Sequence, residues 1–570
     1  LEEELDRALL AGALGPEMAE DLYPDVPAEH PVIVEGTPAS AAGDTPVLLA
    51  EALPALERAA ANVDVAAHAL GAAFEGIGSN SWAVDGSRTA SGLPLLANDP
   101  HLGIQLPSIW YEISLWCEPV SERCPFRVGG FSFAGAPGVV IGHNERIAWG
   151  FTNEGPDGMD LFIERTRDGS YEFEGEWLPI ETRTEVIEVA GADPVEIEIR
   201  STGHGPIISD TYELAARLPD AQREGYEVAL AWKALEPSTV IEALLRINSA
   251  GDWDEFRRAA QLFDIAPQNL LYADVDGHIG YQATGDIPVR RSGDGRYPVP
   301  GWTGEFEWEG SIPAEELPSV LDPPSGMIVT ANQPVTGADY EWYLGADFDH
   351  GYRAARITEL LSSAEDLAVA DMVAIQMDSY DASAAMVVPL VLGIEVDDPA
   401  IRAVQEVLRP WADSSDPYQM DAISPGAAAY AAVWRHLLAL TFDELPEDHP
   451  ADGGSRFFTV MQGLLDDPEN PWWDRQSTRE TETASQILEA AVRAAHEELT
   501  ETLGDDPRDW EWGKLHIAPF ENQTLGQSGI APIEALFNRT VTGVGGGTSI
   551  VNATSWAASE GYEVTDLPSM

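Results

Sequence analysis

The stretch G-S-N-S-W-A-V-D-G-S-R-T-A-S-G-L-P-L-L-A-N-D-P-H, residues 78–101, decides how the rest of the chain is read. A serine hydroxyl is a weak nucleophile until a base takes its proton, and a serine at a chain start carries that base in its own α-amine. Gly78-Ser79 is a bond where such a start can be made. Glycine has no Cβ, so its carbonyl tolerates the strained backbone needed for the Ser79 hydroxyl to attack it, shift the acyl group and free a new N-terminus. The freed amine titrates at roughly 7.7–8.0, close to neutrality. Alone, Gly-Ser reads as a turn in a chain with 51 glycines. Its company changes that reading: S-N-S-W-A-V opens a strand, and N-D-P-H-L places His101 22 residues after Ser79.

These motifs resemble the penicillin acylase family of N-terminal-nucleophile amidohydrolases. The resemblance implies an α+β chain built as a four-layer αββα sandwich, with a mostly helical insertion in its second half. It makes residues 1–35 the remainder of an α subunit, 36–78 a spacer excised after self-cleavage, and 79–570 a β subunit beginning at Ser79. It also implies that the last residues, ending in L-P-S-M, normally run on into further strands, so the chain is expected to stop short. The implied activity is hydrolysis of the side-chain amide of penicillin-like or other N-acyl compounds through an acyl-enzyme on Ser79. Acyl-homoserine-lactone and cephalosporin acylases use the same machinery. The expected partners are a small-molecule N-acyl amide and the chain's own α subunit, retained as a heterodimer.

Amide hydrolysis needs donors aimed at the oxyanion of the tetrahedral intermediate. In H-N-E-R-I-A-W-G-F-T-N-E-G, the resemblance assigns the first donor to the backbone N–H of Asn153. In A-P-Q-N-L-L-Y-A-D-V-D-G, it assigns the side-chain donor to Asn269, an amide that can bond negative charge while staying neutral. Arg290 in G-D-I-P-V-R-R is expected to hold that asparagine, and His101 to assist the serine by hydrogen bonding. Leu102 and Ile141 fall where the family lines its acyl cleft and some members carry phenylalanine; aliphatic residues there weaken the case for a phenylacetyl-selective site and open the cleft to fatty acyl chains. In G-P-D-G-M-D-L-F, Asp157, the Met159 carbonyl and Asp160 are expected to hold a structural calcium, which takes six to eight oxygens. No cofactor is implied for the chemistry. D-V-D-G at 274–277 mimics the start of a calcium loop but lacks the later positions, so it reads as a hairpin turn.

The pattern itself points to the same fold class. From 79 to about 281, short apolar or alternating runs separated by Gly, Asn and Asp predict strands. T-V-I-E-A-L-L-R-I and the run near 255 predict helices packed outside them. Residues 327–361 read as a strand and then a helix, and about 365–503 as mostly helical, with amphipathic runs near 366–377, 426–441 and 484–503. D-W-E-W-G-K-L-H then returns to strand-like alternation. Upstream, L-E-E-E-L-D-R-A-L-L-A has helical spacing, 35–46 reads as a small, polar, proline-containing linker, and an Ala/Leu-rich helix runs to about Phe74.

Composition narrows the partners. The chain has 97 acidic against 31 basic residues, a net charge of −66, which repels nucleic acid and anionic membranes. Such an excess fits either a surface adapted to high salt or a biased genome. No run of about 18 apolar residues exists to cross a membrane. Cys117 and Cys124 are close enough to staple a loop by roughly 2–3 kcal/mol, which points to a periplasmic or secreted protein, or they are two reduced thiols. The 17 tryptophans and 15 tyrosines leave a non-enzyme alternative, an aromatic-rich secreted binding protein.

Overall fold

The computed structural model describes residues 1–34, 36, 50–70, 78–121, 123–210, 225–395 and 397–569. Helix α1 (Glu2–Leu14) carries the predicted amphipathic stretch and buries Leu5, Ala8 and Leu10. Helix α2 (Leu53–Leu70) packs on it through Leu56 and Ala59. Most of the expected linker, and Phe74, lie outside the described residues.

Two stacked sheets form the centre. The strands from the quoted stretch are β1 (Gly78–Val84) and β2 (Leu95–Gly103), antiparallel, with Gly78 opposite His101 and Asn80 opposite Asp99. Every residue of β1 is buried, as expected of a strand covered on both faces. After them come β3 (Trp110–Trp116), β4 (Arg127–Phe133), β5 (Ile141–His143) and β6 (Ile147–Asn153). A disulfide joins Cys117 to Cys124 between β3 and β4. Strands β7 (Met159–Arg167) and β8 (Gly225–Trp232) pair in a separate sheet. Helices α3 (Val240–Ser249) and α4 (Trp253–Ala260) precede the hairpin of β9 (Gln268–Asp274) and β10 (Ile279–Ala283). The turn of that hairpin is D-V-D-G, where Asp274 Oδ1 accepts from the backbone N–H of Asp276, Gly277 and His278.

Next are β11 (Pro288–Arg290), β12 (Trp308–Ser311), β13 (Ser319–Leu321) and β14 (Met327–Thr330), then α5 (Tyr352–Ser363) and α6 (Val369–Gln376). The first sheet has the order β14-β1-β2-β15, with β15 (Asp566–Pro568) from the last described residues; the second runs β13-β10-β9-β6-β5-β4-β3. Gly150 lets them approach, since a Cβ there would lie 2.8 Å from Ser81 Oγ and 2.9 Å from Asn98 Oδ1.

Helices close both outer faces. Trp82, Ala97 and Val329 pack under Ala354, Ile357, Leu361 and Met372 of α5 and α6. On the other side Phe151, Leu270 and Tyr272 pack under Ala243, Ile247 and Phe256 of α3 and α4. Each of the Val, Leu, Ile, Phe and Met side chains among them contributes about 1.5–3 kcal/mol on burial, and the resulting layers are helix, sheet, sheet, helix. The second half is helical, as its periodicity predicts: α7 (Ala382–Leu392), α8 (Pro399–Ala412), α9 (Pro425–Thr441), α10 (Ser455–Asp466) and α11 (Ala484–Leu503) share one core.

One expectation fails there. D-W-E-W-G-K-L-H is not a strand but a 3-10 turn (Pro507–Asp509) and a short helix (Trp512–Leu515). Trp510 and Trp512 are buried among the helices, their indole N–H groups donating to Gly504 O and Gly546 O. Their alternation reflects two indoles that each need an acceptor in an apolar core; the strand comes later, at Ala518–Asn522.

Candidate active site

The site assembles where β1 begins. The Ser79 backbone N–H donates to Asn332 Oδ1 at 2.7 Å, and Ser79 Oγ donates to Gly78 O at 2.6 Å. Arg353, in the first turn of α5, ties these parts together. Its Nη1 donates to Ser79 O and to Asn80 Oδ1, each at 2.9 Å, and its Nη2 to Asn332 Oδ1 at 3.0 Å. Asp349 accepts from Nη2 at 3.1 Å, so the buried guanidinium is paired. Asn332 follows β14 with φ 71, a left-handed conformation that asparagine tolerates. Its Nδ2 donates to Asn153 O at 2.8 Å, which brings the end of β6 to the serine.

Gly78 fits because of what surrounds it. A Cβ there would stand 3.1 Å from Arg353 Nη2 and 3.3 Å from Asn332 Oδ1, so any side chain would press on the pair that holds Ser79. A cavity of about 580 Å³ opens at this point, lined by Gly78, His101, Asn153, Asn332 and Arg353 among others, though not by Ser79. Gly78, whose carbonyl accepts the Ser79 hydroxyl, is part of the cavity wall.

His101 meets the site through the opposite strand. It is 1% exposed, with Nε2 at 3.2 Å from Asn80 Nδ2 and 3.4 Å from Asp99 Oδ2. Burial lowers its pKa, while Asp99 pulls it up. The imidazole is therefore held near Gly78 by two polar neighbours on its own sheet, and Asp99 is a contact that the sequence reading did not name.

Two expected residues are elsewhere. Asn269, on β9 opposite Thr152, is fully buried and spends its amide on strand partners. Its Nδ2 donates to Thr152 Oγ1 and Asn153 O, each at 3.1 Å, and its Oδ1 accepts from Tyr281 at 2.6 Å. It braces Asn153 from behind; the side-chain amide at the serine is that of Asn332. Arg290 does not hold either asparagine. Its Nε donates to Asp160 at 2.8 and 3.1 Å, and its Nη2 to Asp157 O at 3.1 Å and, more weakly, to Met159 O at 3.4 Å. The arginine in contact with an asparagine at Ser79 is Arg353. A signal existed for both: T-A-N-Q-P sets an asparagine after a strand and before proline, and G-Y-R sets an arginine at a helix start.

The expected calcium ligands do not fit a cation as arranged. Asp157 Oδ2 is 3.1 Å from Arg290 Nη2, so Asp157, the Met159 carbonyl and Asp160 all turn toward one guanidinium. Asp160 also accepts from Trp308 Nε1 at 2.5 Å. Glu4 Oε1 accepts from Leu161 N–H beside them, while its other oxygen is buried without a partner. Burial pushes Asp157 up to about 7 against the pull of Arg290, and pushes Glu4 well up too. The guanidinium thus faces both aspartates, and among the described residues no group of three or more His, Cys, Asp and Glu is placed to hold a metal. Ile141 lines a separate groove of about 650 Å³ with Leu96, Ile113, Phe131 and Trp149; Leu102 lines neither it nor the Ser79 cavity.

Stacked sheets under helices, with a serine leading a central strand, define the N-terminal-nucleophile hydrolase fold. The same fold is seen in the thermostable penicillin G acylase from Alcaligenes faecalis, at a TM-score of 0.61 and 22% identity over 79% of this chain and 83% of that one. The chain belongs to the penicillin amidase family, whose profile matches residues 1–570. It is 29% identical over 530 residues to an acyl-homoserine lactone acylase, QuiP, of Pseudomonas aeruginosa, covering 86% of this chain and 61% of that protein. It is 31% identical over 500 residues to the penicillin acylase 2 proenzyme of Pseudomonas sp. strain SE83, again 86% of this chain and 61% of the relative. The chain therefore spans about three fifths of the length of these relatives.

Proposed function

We propose that this protein is an acylase that cuts itself at Gly78-Ser79 and then hydrolyses N-acyl amides through an acyl-enzyme on Ser79. The observation that carries the reading is the grip on Ser79: its nitrogen on Asn332 Oδ1, with Arg353 bracing both residues. Removal of Gly78 would turn that nitrogen into an amine, already positioned by an acceptor, and join the hydroxyl to the cavity. The amine then takes the hydroxyl proton as Ser79 attacks the amide carbonyl, and the proton passes to the leaving amine. The Asn153 backbone N–H and the Asn332 side-chain amide, both beside Ser79, are the donors proposed for the oxyanion. Water, activated by the same amine, releases the acid.

Fatty acyl amides such as N-acyl-homoserine lactones are the first substrate class to consider. The acyl-homoserine lactone acylase among the relatives supports it. Penicillin side chains are the second reading, supported by the 31% identical proenzyme. The disulfide supports an oxidising compartment, periplasmic or extracellular, and the contacts of α1 with the core support its retention as a separate subunit after cleavage. The test is a panel of long-chain acyl-homoserine lactones, phenylacetyl amides and glutaryl amides given to the mature full-length protein. Release of free acid from the first group, lost in Ser79→Ala, is expected; hydrolysis of none of them refutes the proposal.

A further inference from the structure

We propose that Glu154 is a positioning residue of this site, whose carboxyl must carry its proton for the pocket at Asn153 and Asn332 to receive negative charge. The inference rests on the functional reading above. Glu154 directly follows Asn153, lines the same cavity and is 1% exposed. Its Oε2 accepts from the Thr284 N–H at 3.0 Å, while Oε1 is buried with no hydrogen-bond partner. The ionisable side chains facing it are the phenols of Tyr281 on β10 and of Tyr340 on the loop after β14, and neither is a cation. No arginine, lysine or histidine among the described residues pairs with it.

A carboxyl so placed has one hydrogen bond with which to stabilise a charge, and burial pushes its pKa up to about 8 against that bond. In its neutral form it leaves the oxyanion pocket uncharged from behind. Loss of the proton to hydroxide would act in two ways. A full negative charge would stand on the residue next to Asn153, the proposed oxyanion donor, in a setting too dry to screen it well. The carboxylate would also compete for the Tyr281 O–H, which now donates to Asn269 Oδ1, while Asn269 in turn braces Asn153 O.

The experiment follows kcat on an acyl amide from about pH 6 to about pH 10 for wild type and Glu154→Gln, alongside the wild-type-minus-variant infrared difference titration of the carboxylic-acid C=O stretch, in which the other buried carboxyls, Asp157, Glu4 and Asp566 among them, cancel. Wild-type kcat is expected to fall as the difference band disappears, whereas Glu154→Gln holds its kcat across the alkaline range. An identical alkaline fall in Glu154→Gln overturns the inference, as does the absence of an acid band in the difference spectrum near pH 6. If Glu154→Gln does not fold, Glu154→Ala takes its place in both arms, and a difference band that does not titrate with wild-type kcat rejects the claim. A wild type that hydrolyses no acyl amide contradicts the proposed function instead, and the infrared arm, which needs no turnover, then judges Glu154 alone.

Discussion

Asn332 and Asn269 both touch the Asn153 carbonyl, but from different sides and with different consequences. Asn332 also receives the Ser79 nitrogen, so Asn332→Ala should lower kcat by about 10²–10³-fold, as loss of an oxyanion-pocket donor does. Asn269→Ala strips partners from a closed network and should instead cost about 1–3 kcal/mol of stability, with the smaller effect on kcat. Measuring kcat and the unfolding midpoint for both variants separates the roles; equal kcat losses would mean the two asparagines act alike. Ser79, His101 and Asn153 could be read because each sits inside a local motif. The partner amide and its arginine come from residues 332 and 353, brought to the serine by a strand pairing and a helix that local sequence does not encode. The resemblance assigns Asn269, whereas the long-range pairing of β14 with β1 brings Asn332 to the serine.

Glu154 also makes a stability prediction. Its folded pKa lies above the unfolded one, so the folded state holds the extra proton and stability falls as pH rises from about 4.5 to about 8. Glu154→Gln removes that term. Its advantage in unfolding midpoint over wild type should therefore widen across this window and stay constant beyond it; a pH-independent difference would contradict the assignment.

At the scale of elements, the start of β7 is fastened to β11 by Arg290, which sits between Asp157 and Asp160 with its side chain 5% exposed. Arg290→Ala would leave buried carboxylates without their cation and should destabilise the protein by about 3–5 kcal/mol. With the guanidinium in place, a chelator should leave the wild-type melting temperature unchanged, and a marked fall on chelation would show that a metal holds this junction after all. The order of strands and outer helices was readable because period and turn residues are local signals. D-W-E-W was misread because two tryptophans alternating by two mimic a strand, although their indoles are seated by a helical core that only the whole chain assembles.

The whole molecule carries −66 formal charges, with only Lys233 and Lys514 as lysines. Self-repulsion on that surface is screened over about 3 Å at 1 M salt against about 10 Å at 0.1 M. Melting temperature and activity should therefore climb with molar KCl, and a flat response would remove salt adaptation as the reason for the composition. The helical half was legible as a block because its amphipathic runs are long, whereas residues 37–49 and 71–77 of the proposed spacer at 36–78 lie outside the described residues.

The most direct measurement is the intact mass and N-terminal sequence of the mature full-length protein, beside its Ser79→Ala variant. The account predicts a mature chain beginning Ser-Asn-Ser-Trp, with the variant uncut at residue 78. An active protein whose backbone runs unbroken from Gly78 to Ser79 would contradict it.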